Sequence, residues 1–149
     1  MKLEAPSIEA LITNWEKDSI IDQTDPGVEL LRTPILHSKY NTYLTLHNLA
    51  SKRAVLELAR IKKLKWLYYT GKLDKDELDK LGWEPFQFTL KSDISVYIEG
   101  DSDLGKLQRK KSYHEEASSF CVNVMKEINN RTWQLREYMT WERFQQGGH

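Results

Sequence analysis

Lysine, arginine and aromatic side chains are concentrated in residues 52–72, which we call the basic stretch. Seven of its 21 residues are Lys or Arg, and Glu57 is its one acidic residue. Ammonium and guanidinium groups neutralise phosphates, whereas aromatic side chains stack on unpaired bases at roughly 1–3 kcal/mol for each base. This combination predicts binding of a single-stranded nucleic acid. The candidate contact residues are Arg53, Arg60, Lys62, Lys63, Lys65 and Tyr69.

A solvated basic face without a ligand is the alternative explanation of such a charge run. Three features argue against it. Apart from Glu57, which is four residues after Arg53, the stretch lacks acidic partners at helical spacing, and it crowds three lysines that repel one another at 62, 63 and 65. The aromatic residues Trp66, Tyr68 and Tyr69 also lie within a turn of those lysines. No Asn, Gln or Arg is placed to read base edges, so binding is expected to be independent of base sequence. On a helix, Lys63 and Lys65 point about 200° apart. Either the strand meets both flanks, or one of these lysines holds an assembly together.

Other chemistry-bearing patterns are sparse. The chain has no Gly-rich phosphate loop, no His-Glu-x-x-His and no Gly-x-Ser-x-Gly, and Cys121 is its single cysteine. We therefore expect no cofactor, no metal and no enzymatic activity. Two alternatives remain, and one is a purely structural coiled-coil assembly protein that binds no DNA. The other is a ribonuclease, since Arg109 and His114 match the Arg-x4-His pattern resembling that of helical HEPN-type ribonucleases, in which a general acid/base His works beside a phosphate-binding Arg. An exposed helical face would explain the same pattern.

Length and composition predict one helical domain over residues 1–149, with the profile of an ordinary soluble protein. No apolar run approaches the roughly 18 residues that a membrane span needs, and the lone cysteine favours a reducing, intracellular compartment. Net charge is zero, but it alternates along the chain: −4 over residues 1–33, +7 over 34–72, −6 over 73–103 and +3 over 104–149. The acidic segments either confine the basic one or pair with basic surfaces of other subunits.

A long helix must position the basic stretch. The sequence predicts a short helix over 7–17 with Ser7 as N-cap, and then a helical pattern from Pro26 to about Thr70 that is kinked or broken before Pro34. Ten positions of this helix follow a 4-3 spacing, and eight of them are apolar or aromatic: Leu36, Tyr40, Tyr43, His47, Ala50, Ala54, Glu57, Ile61, Leu64 and Tyr68. We call these ten positions the heptad seam.

The long helix is also apolar away from its seam, at Val55, Leu56, Trp66 and Leu67. A helix from Ile35 to Tyr69 would be roughly 50 Å long, more than a monomer of this size can cover. These features predict a homo-oligomer that assembles through this element.

Shorter elements follow the long helix. Gly71 is expected to end it, and Asp74 to cap a short acidic helix ending near Gly82. An extended connector over 83–92 precedes a segment at 93–99 that we predict as a helix, although its alternating residues would also suit a strand. A helix of about 25 residues should then end at Asn129-Asn130, and a last one should run from Thr132 to about Gln146.

Several ordered strings resemble a known family. Lys63-Leu-Lys65-Trp-Leu-Tyr68-Tyr69-Thr-Gly71 is similar to the Lys-x-(Arg/Lys)-x-x-Tyr-Tyr-x-Gly signature of the UvsY-type recombination mediators of T-even-like phages. The similarity runs nearly end to end and is greatest to members from phages of marine cyanobacteria. Its other strings are Met1-Lys-Leu-Glu4, Asp18-Ser-Ile-Ile-Asp22, His37-Ser-Lys-Tyr40, Gly82-Trp-Glu-Pro-Phe86, Leu90-Lys-Ser-Asp93, Asn129-Asn-Arg131 and Trp141-Glu-Arg-Phe144.

The resemblance implies an all-α protein that assembles into a ring-like homo-oligomer, a heptamer in this family. It implies sequence-independent binding of single-stranded DNA and loading of a phage RecA-like recombinase onto strands covered by the phage single-strand-binding protein, in the cytoplasm of the infected bacterial host. By the motif, Lys63 and Lys65 match the DNA-contacting basic pair. Lys65 stands where the best-known example has Arg, and so lacks a planar fork for phosphate. Leu67 stands where an acidic residue is expected, and the C-terminal aromatics over 133–144 are expected to support oligomer formation.

Overall fold

The computed structural model describes residues 3–87 and 90–147, and helices are the only regular elements in those ranges. The α-helices are α1 (Ile8–Asp18), α2 (Pro26–Tyr69), α3 (Lys75–Leu81), α4 (Ile94–Glu99) and α5 (Ser102–Gln145), with a 3₁₀ turn at Lys91–Asp93. The predicted all-α fold is confirmed. None of these helices is both long enough and apolar enough to cross a membrane.

Helix starts follow local capping chemistry. The side chain of Ser7 accepts a hydrogen bond from the third N–H of α1, and Asp25 does the same for α2, whose first residue is Pro26. Asp74 and Glu77 form a reciprocal capping box at the start of α3. These predicted starts are confirmed because each depends on residues within one turn.

Two glycines mark the ends of α2 and α3. Gly71 and Gly82 both have a φ of 70°, the left-handed conformation that a residue with a Cβ adopts only with strain. The segment at 93–99 is helical and not a strand, with α4 beginning at Ile94. Of the predicted connector 83–92, residues 88 and 89 lie outside the described residues, and residues 91–93 form the 3₁₀ turn.

The predicted break of α2 before Pro34 and the predicted end of a helix at Asn129-Asn130 are wrong, whereas a kink at Pro34 stays a prediction. α2 continues through Pro34, and α5 continues through Asn129-Asn130 to Gln145. A proline removes one helical hydrogen bond and asparagine is a mediocre helix former, but neither effect is decisive when the flanking residues are buried. Leu36 is buried just after Pro34, and Ile128 just before the asparagines.

The heptad seam faces the interior along its whole length, since none of its ten positions is exposed. This confirms the 4-3 pattern as the packing face of α2. Contacts divide the chain into two compact units, Met1–Leu49 with His114–His149 and Ala50–Tyr113. The expectation of one domain over 1–149 stays a prediction.

The first unit has a mixed apolar and polar interior. One cluster joins Leu36 and Tyr40 of α2 to Val124 and Ile128 of α5, and Trp15 meets Tyr40 edge to face at 5.5 Å between ring centroids. A second cluster is built from Leu11, Ala117 and Cys121. The tightly packed apolar contacts between α2 and α5 hold this unit together.

A buried ionic network also lies in the first unit. Arg131 of α5 is almost fully buried, donates to the backbone oxygen of Asp18 at 3.1 Å and forms an ion pair with Glu29. The carboxylate of Asp18 pairs with Lys39 at 2.7 Å and accepts from the Tyr40 hydroxyl at 2.9 Å. Burial opposes ionisation of Asp18, but these partners outweigh it and lower its pKa.

Candidate nucleic-acid interface

The basic stretch lies in the second unit, on the C-terminal part of α2 and the turn after it. The structure separates its candidate contacts into two groups. Arg53, Arg60, Lys62 and Lys63 are exposed, whereas Lys65 is buried and Tyr69 is half-buried. Only the first group presents its charge to solvent.

The exposed cations differ in their neighbours. Arg60 donates two hydrogen bonds to the carboxylate of Glu57, at 2.7 and 3.1 Å. Within residues 3–87 and 90–147, Arg53, Lys62 and Lys63 form no ion pair. Three positive charges therefore remain uncompensated on the surface, and they are available to phosphate groups.

The exposed face of α2 in this unit is both basic and apolar. By helical geometry, Lys63 shares one flank with Lys52 and Leu56, and Lys62 shares the neighbouring flank with Val55 and Trp66. Leu56 is 72% exposed and Trp66 is 41% exposed. Of the apolar side chains predicted away from the seam, Val55, Leu56 and Trp66 are thus exposed, whereas Leu67 is half-buried.

Lys65 has a different environment from its neighbours. Its Nζ atom lies 3.0 Å from Oδ2 of Asp101 and 2.8 Å from Oδ2 of Asp103, and its side chain is 8% exposed. The same atom lies 4.2 Å from the centroid of the Trp83 ring, a cation–π contact. Burial opposes the charged form, but the hydrogen bonds with Asp103 and Asp101 prevail and raise the pKa of Lys65.

Asp101 connects three parts of the second unit. One carboxylate oxygen accepts the backbone N–H groups of Asp103 and Leu104, at 2.9 and 3.0 Å, and so caps the start of α5. The other accepts from Lys65 and from the Tyr69 hydroxyl, the latter at 2.5 Å. Burial raises the pKa of Asp101, but Tyr69, the Leu104 N–H and Lys65 together lower it below its ordinary value.

We call the ion pairs of Lys65 with Asp101 and Asp103 the anchor, and aromatic side chains surround it. Tyr69 packs edge to face on Phe86 at 4.9 Å, and Tyr68 packs on Trp83 at 5.1 Å. The Tyr68 hydroxyl donates to the Glu84 carbonyl at 2.6 Å. Both tyrosines are therefore held by intramolecular contacts, and stacking of a base on Tyr69 stays a prediction.

Sequence reasoning missed Asp101, Asp103 and Trp83 as partners of Lys65. They lie 18 to 38 residues further along the chain, so no helical spacing links them to Lys65. The available signal was the charge alternation, because both aspartates belong to the acidic segment 73–103 that follows the basic one. Asp101 and Asp103 of that acidic segment therefore pair with a lysine of the same chain.

The residues of the alternative ribonuclease motif have distinct surroundings. Nδ1 of His114 lies 3.0 Å from Nδ1 of His47, and Nε2 of His47 lies 2.8 Å from the Pro6 carbonyl oxygen. His47 is buried in the first unit, where this hydrogen bond engages His114. Arg109 is exposed in the second unit. These positions add no support for a catalytic role.

Comparisons with known proteins agree with the resemblance. Crystal structures of the bacteriophage T4 recombination mediator protein UvsY are similar to this chain. The lattice type II structure matches with a TM-score of 0.80 at 21% identity, over 94% of this chain and 98% of the T4 chain. The lattice type IV structure matches with a TM-score of 0.80 at 20% identity, over 93% of this chain and 99% of the T4 chain. These matches show a shared fold. A comparison with curated protein sequences finds no match. The model of the family described as "Recombination, repair and ssDNA binding protein UvsY" matches residues 14–148, and the chain therefore belongs to the UvsY family.

Proposed function

We propose that this protein binds single-stranded DNA without sequence preference and acts as a recombination mediator. It would promote loading of a phage RecA-like recombinase onto strands covered by the phage single-strand-binding protein, in the cytoplasm of the infected host. The observation that supports this most directly is that Arg53, Lys62 and Lys63, on a chain of the UvsY family, are exposed cations that form no ion pair with the residues the structure describes. The activity is binding, so no covalent bond of the DNA is made or broken.

Lys63 is the central DNA contact in this proposal. It is exposed on α2 next to Lys62, which is exposed as well, and the two can contact neighbouring phosphates. Arg53 lies about 15 Å away along the helix axis and would contact another part of the strand. Lys65 is assigned a structural role, because a phosphate would have to displace two carboxylates from its ammonium group. A direct contact from Lys65 would require this anchor to open.

A homo-oligomer, ring-like and heptameric as in the resembling family, is part of the same proposal. Apolar side chains remain exposed on both long helices, at Leu31, Ile35 and Leu56 of α2 and at Trp133, Trp141 and Phe144 of α5. Large apolar side chains exposed in this number favour association. Repeating a modest basic site around an assembly would convert weak contacts into high avidity for a long strand.

The mediator mechanism follows from that avidity. Many basic sites acting on one strand would change its path and weaken its contacts with the resident single-strand-binding protein. The exposed segment would then give the recombinase a place to nucleate. Oligomeric binding is therefore the step on which the later ones depend.

The test is the salt dependence of binding to a labelled oligothymidylate, for the wild type and for Lys62→Ala with Lys63→Ala. Each phosphate contact contributes about 0.7 to the slope of log affinity against log salt on a single strand, so the double variant should bind more weakly, with a slope smaller by about 1.4. Fluorescence anisotropy at several salt concentrations measures both quantities.

Lys126→Ala is the matched control, because Lys126 is an exposed lysine of α5 outside the basic stretch. It should leave affinity and slope unchanged. Equal slopes for the wild type and the double variant would contradict the assignment of this face, and absence of binding by the wild type at low salt would contradict the proposed function itself.

A further inference from the structure

A cleft lies beside the C-terminal end of α2 in the second unit. Its volume is about 530 Å³, which falls in the range of small-ligand sites. Its walls are the aromatic side chains of Trp66, Tyr69 and Phe86. It does not include the buried ammonium of Lys65 or the carboxylates that pair with it.

The aromatic walls of this cleft are held in place before any ligand arrives. The Tyr69 hydroxyl is fixed by Asp101 at 2.5 Å, and the Tyr69 ring packs edge to face on Phe86 at 4.9 Å. Phe86 is held on another side by Tyr97, at 5.1 Å between centroids. A preformed apolar slot avoids the cost of ordering its walls when a flat ligand enters.

Among the described residues, the charged side chains that line the cleft are all positive. They are Lys72 and Lys91, and Nζ of Lys72 lies 4.3 Å from the centroid of the Trp66 ring. Neither lysine forms an ion pair within the described ranges 3–87 and 90–147. An adjacent cleft, which contains Lys65, instead includes Asp101, Asp103 and Glu84. An anion carrying a flat group therefore suits the first cleft and not the second.

The Trp66 wall of the cleft is a neighbour of two exposed cations of α2. Trp66 lies three and four residues after Lys63 and Lys62, so these side chains are neighbours on the helix surface. A strand whose phosphates meet Lys62 and Lys63 would bring its next nucleotide to the Trp66 wall. There, Lys72 and Lys91 would receive the following phosphate.

We propose that this cleft, which we call the base cleft, takes up one nucleobase of the bound single strand between Trp66 and Phe86. This inference rests on the proposed function, since it adds a base contact to the phosphate contacts of the same face. Among the described residues of the lining, the uncharged polar side chains are those of Thr70 and Gln87, and the Thr70 hydroxyl already donates to the Trp66 carbonyl oxygen at 2.8 Å. With a single amide left to meet a base edge, stacking would supply most of the contact, in agreement with sequence-independent binding.

The experiment compares two oligonucleotides of equal length and charge, an oligothymidylate and one whose sugars carry no bases. Stacking of one base at about 1–3 kcal/mol is worth about 5- to 160-fold in affinity, so the wild type should prefer the oligothymidylate by at least about fivefold. Trp66→Ala should abolish that preference, whereas Trp66→Phe should retain most of it. Phe86→Leu, which keeps an apolar wall, should reduce the preference as well. It tests the cleft even if the alanine variant does not fold.

The matched control is Lys63→Ala, which should weaken both oligonucleotides by the same factor and leave their ratio unchanged. Equal affinity of the wild type for both oligonucleotides would overturn the base cleft while leaving phosphate binding intact. So would a ratio that persists in both Trp66→Ala and Phe86→Leu. If neither oligonucleotide binds the wild type, the proposed function fails and the base cleft fails with it.

A second measurement locates the base directly. Irradiation of the complex with an oligothymidylate containing 5-iododeoxyuridine should attach the strand to Trp66 or Phe86, as read by mass spectrometry of the digested protein. Attachment exclusively to residues outside the base cleft would contradict the proposal. The same outcome would be expected if the cleft served a protein partner.

Discussion

Lys63 and Lys65 are separated by one residue and yet occupy opposite environments. A step of two residues on a helix turns the side chain by about 200°, so one lysine points to solvent and the other to the interior of the second unit. The interior one is matched by Asp101 and Asp103, whereas the exterior one has no anionic partner among residues 3–87 and 90–147. A shared motif can thus contain one binding residue and one anchoring residue.

Replacing Lys65 should therefore affect folding before it affects binding. Lys65→Met leaves Asp101 buried with only the Tyr69 hydroxyl and two backbone N–H groups, and removal of one member of a buried pair costs about 3 kcal/mol. Urea denaturation should show this loss in the free energy of unfolding. Lys63→Met, on the exposed flank, should stay within about 0.5 kcal/mol of the wild type. Equal stabilities of the two variants would contradict the anchor.

The anchor also predicts the pH dependence of that difference. Because the folded pKa of Asp101 lies below its ordinary value of 3.8, its stabilising contribution is present above about pH 4 and is lost as the pH falls through the folded pKa. The penalty of Lys65→Met should therefore be largest near neutral pH and shrink below about pH 4. A penalty independent of pH would show that packing against Trp83, and not the ion pair, determines it.

The long helices illustrate what local sequence can and cannot predict. Ser7, Asp74 and Gly82 determine helix boundaries through contacts within one turn, and these boundaries could be predicted. The continuity of α2 through Pro34 and of α5 through Asn129-Asn130 could not. It depends on burial against residues far away in the sequence, which outweighs a weak local preference.

A pair of substitutions at Asn130 tests the continuity of α5. Asn130 is exposed within the helix, so Asn130→Ala should be more stable than Asn130→Gly by about 1 kcal/mol, the difference between their helix propensities. If a helix instead ended at this residue, glycine would be the favoured cap and the order would reverse. Thermal unfolding followed by circular dichroism distinguishes the two.

In the candidate site, too, some features could be predicted from local sequence and others depend on the fold. The exposure of Lys62 and Lys63 follows from the heptad seam, because the seam specifies which face of α2 is covered. The burial of Lys65 could not be predicted, since Asp101 and Asp103 reach it only through the fold. The base cleft could not be predicted either, because Phe86 and Lys91 lie in a connector with no periodic pattern.

For the whole molecule, zero net charge conceals a strong asymmetry. The +7 segment 34–72 and the −6 segment 73–103 are neighbours in the sequence, and their pairing at Lys65 consumes only a small part of either charge. Unpaired basic and apolar surface remains on the same face of α2. We assign the basic part and Trp66 to DNA, and the remaining exposed apolar side chains, Val55 and Leu56, to neighbouring subunits.

The mass of the assembly in solution, measured with and without an oligothymidylate, tests this account most directly. We predict a multiple of the 17.6 kDa chain that persists when the oligonucleotide is added and that gains the mass of the bound strand. Sedimentation velocity at moderate salt resolves both species. A 17.6 kDa monomer whose mass does not change in the presence of single-stranded DNA would contradict both the oligomer and its ligand.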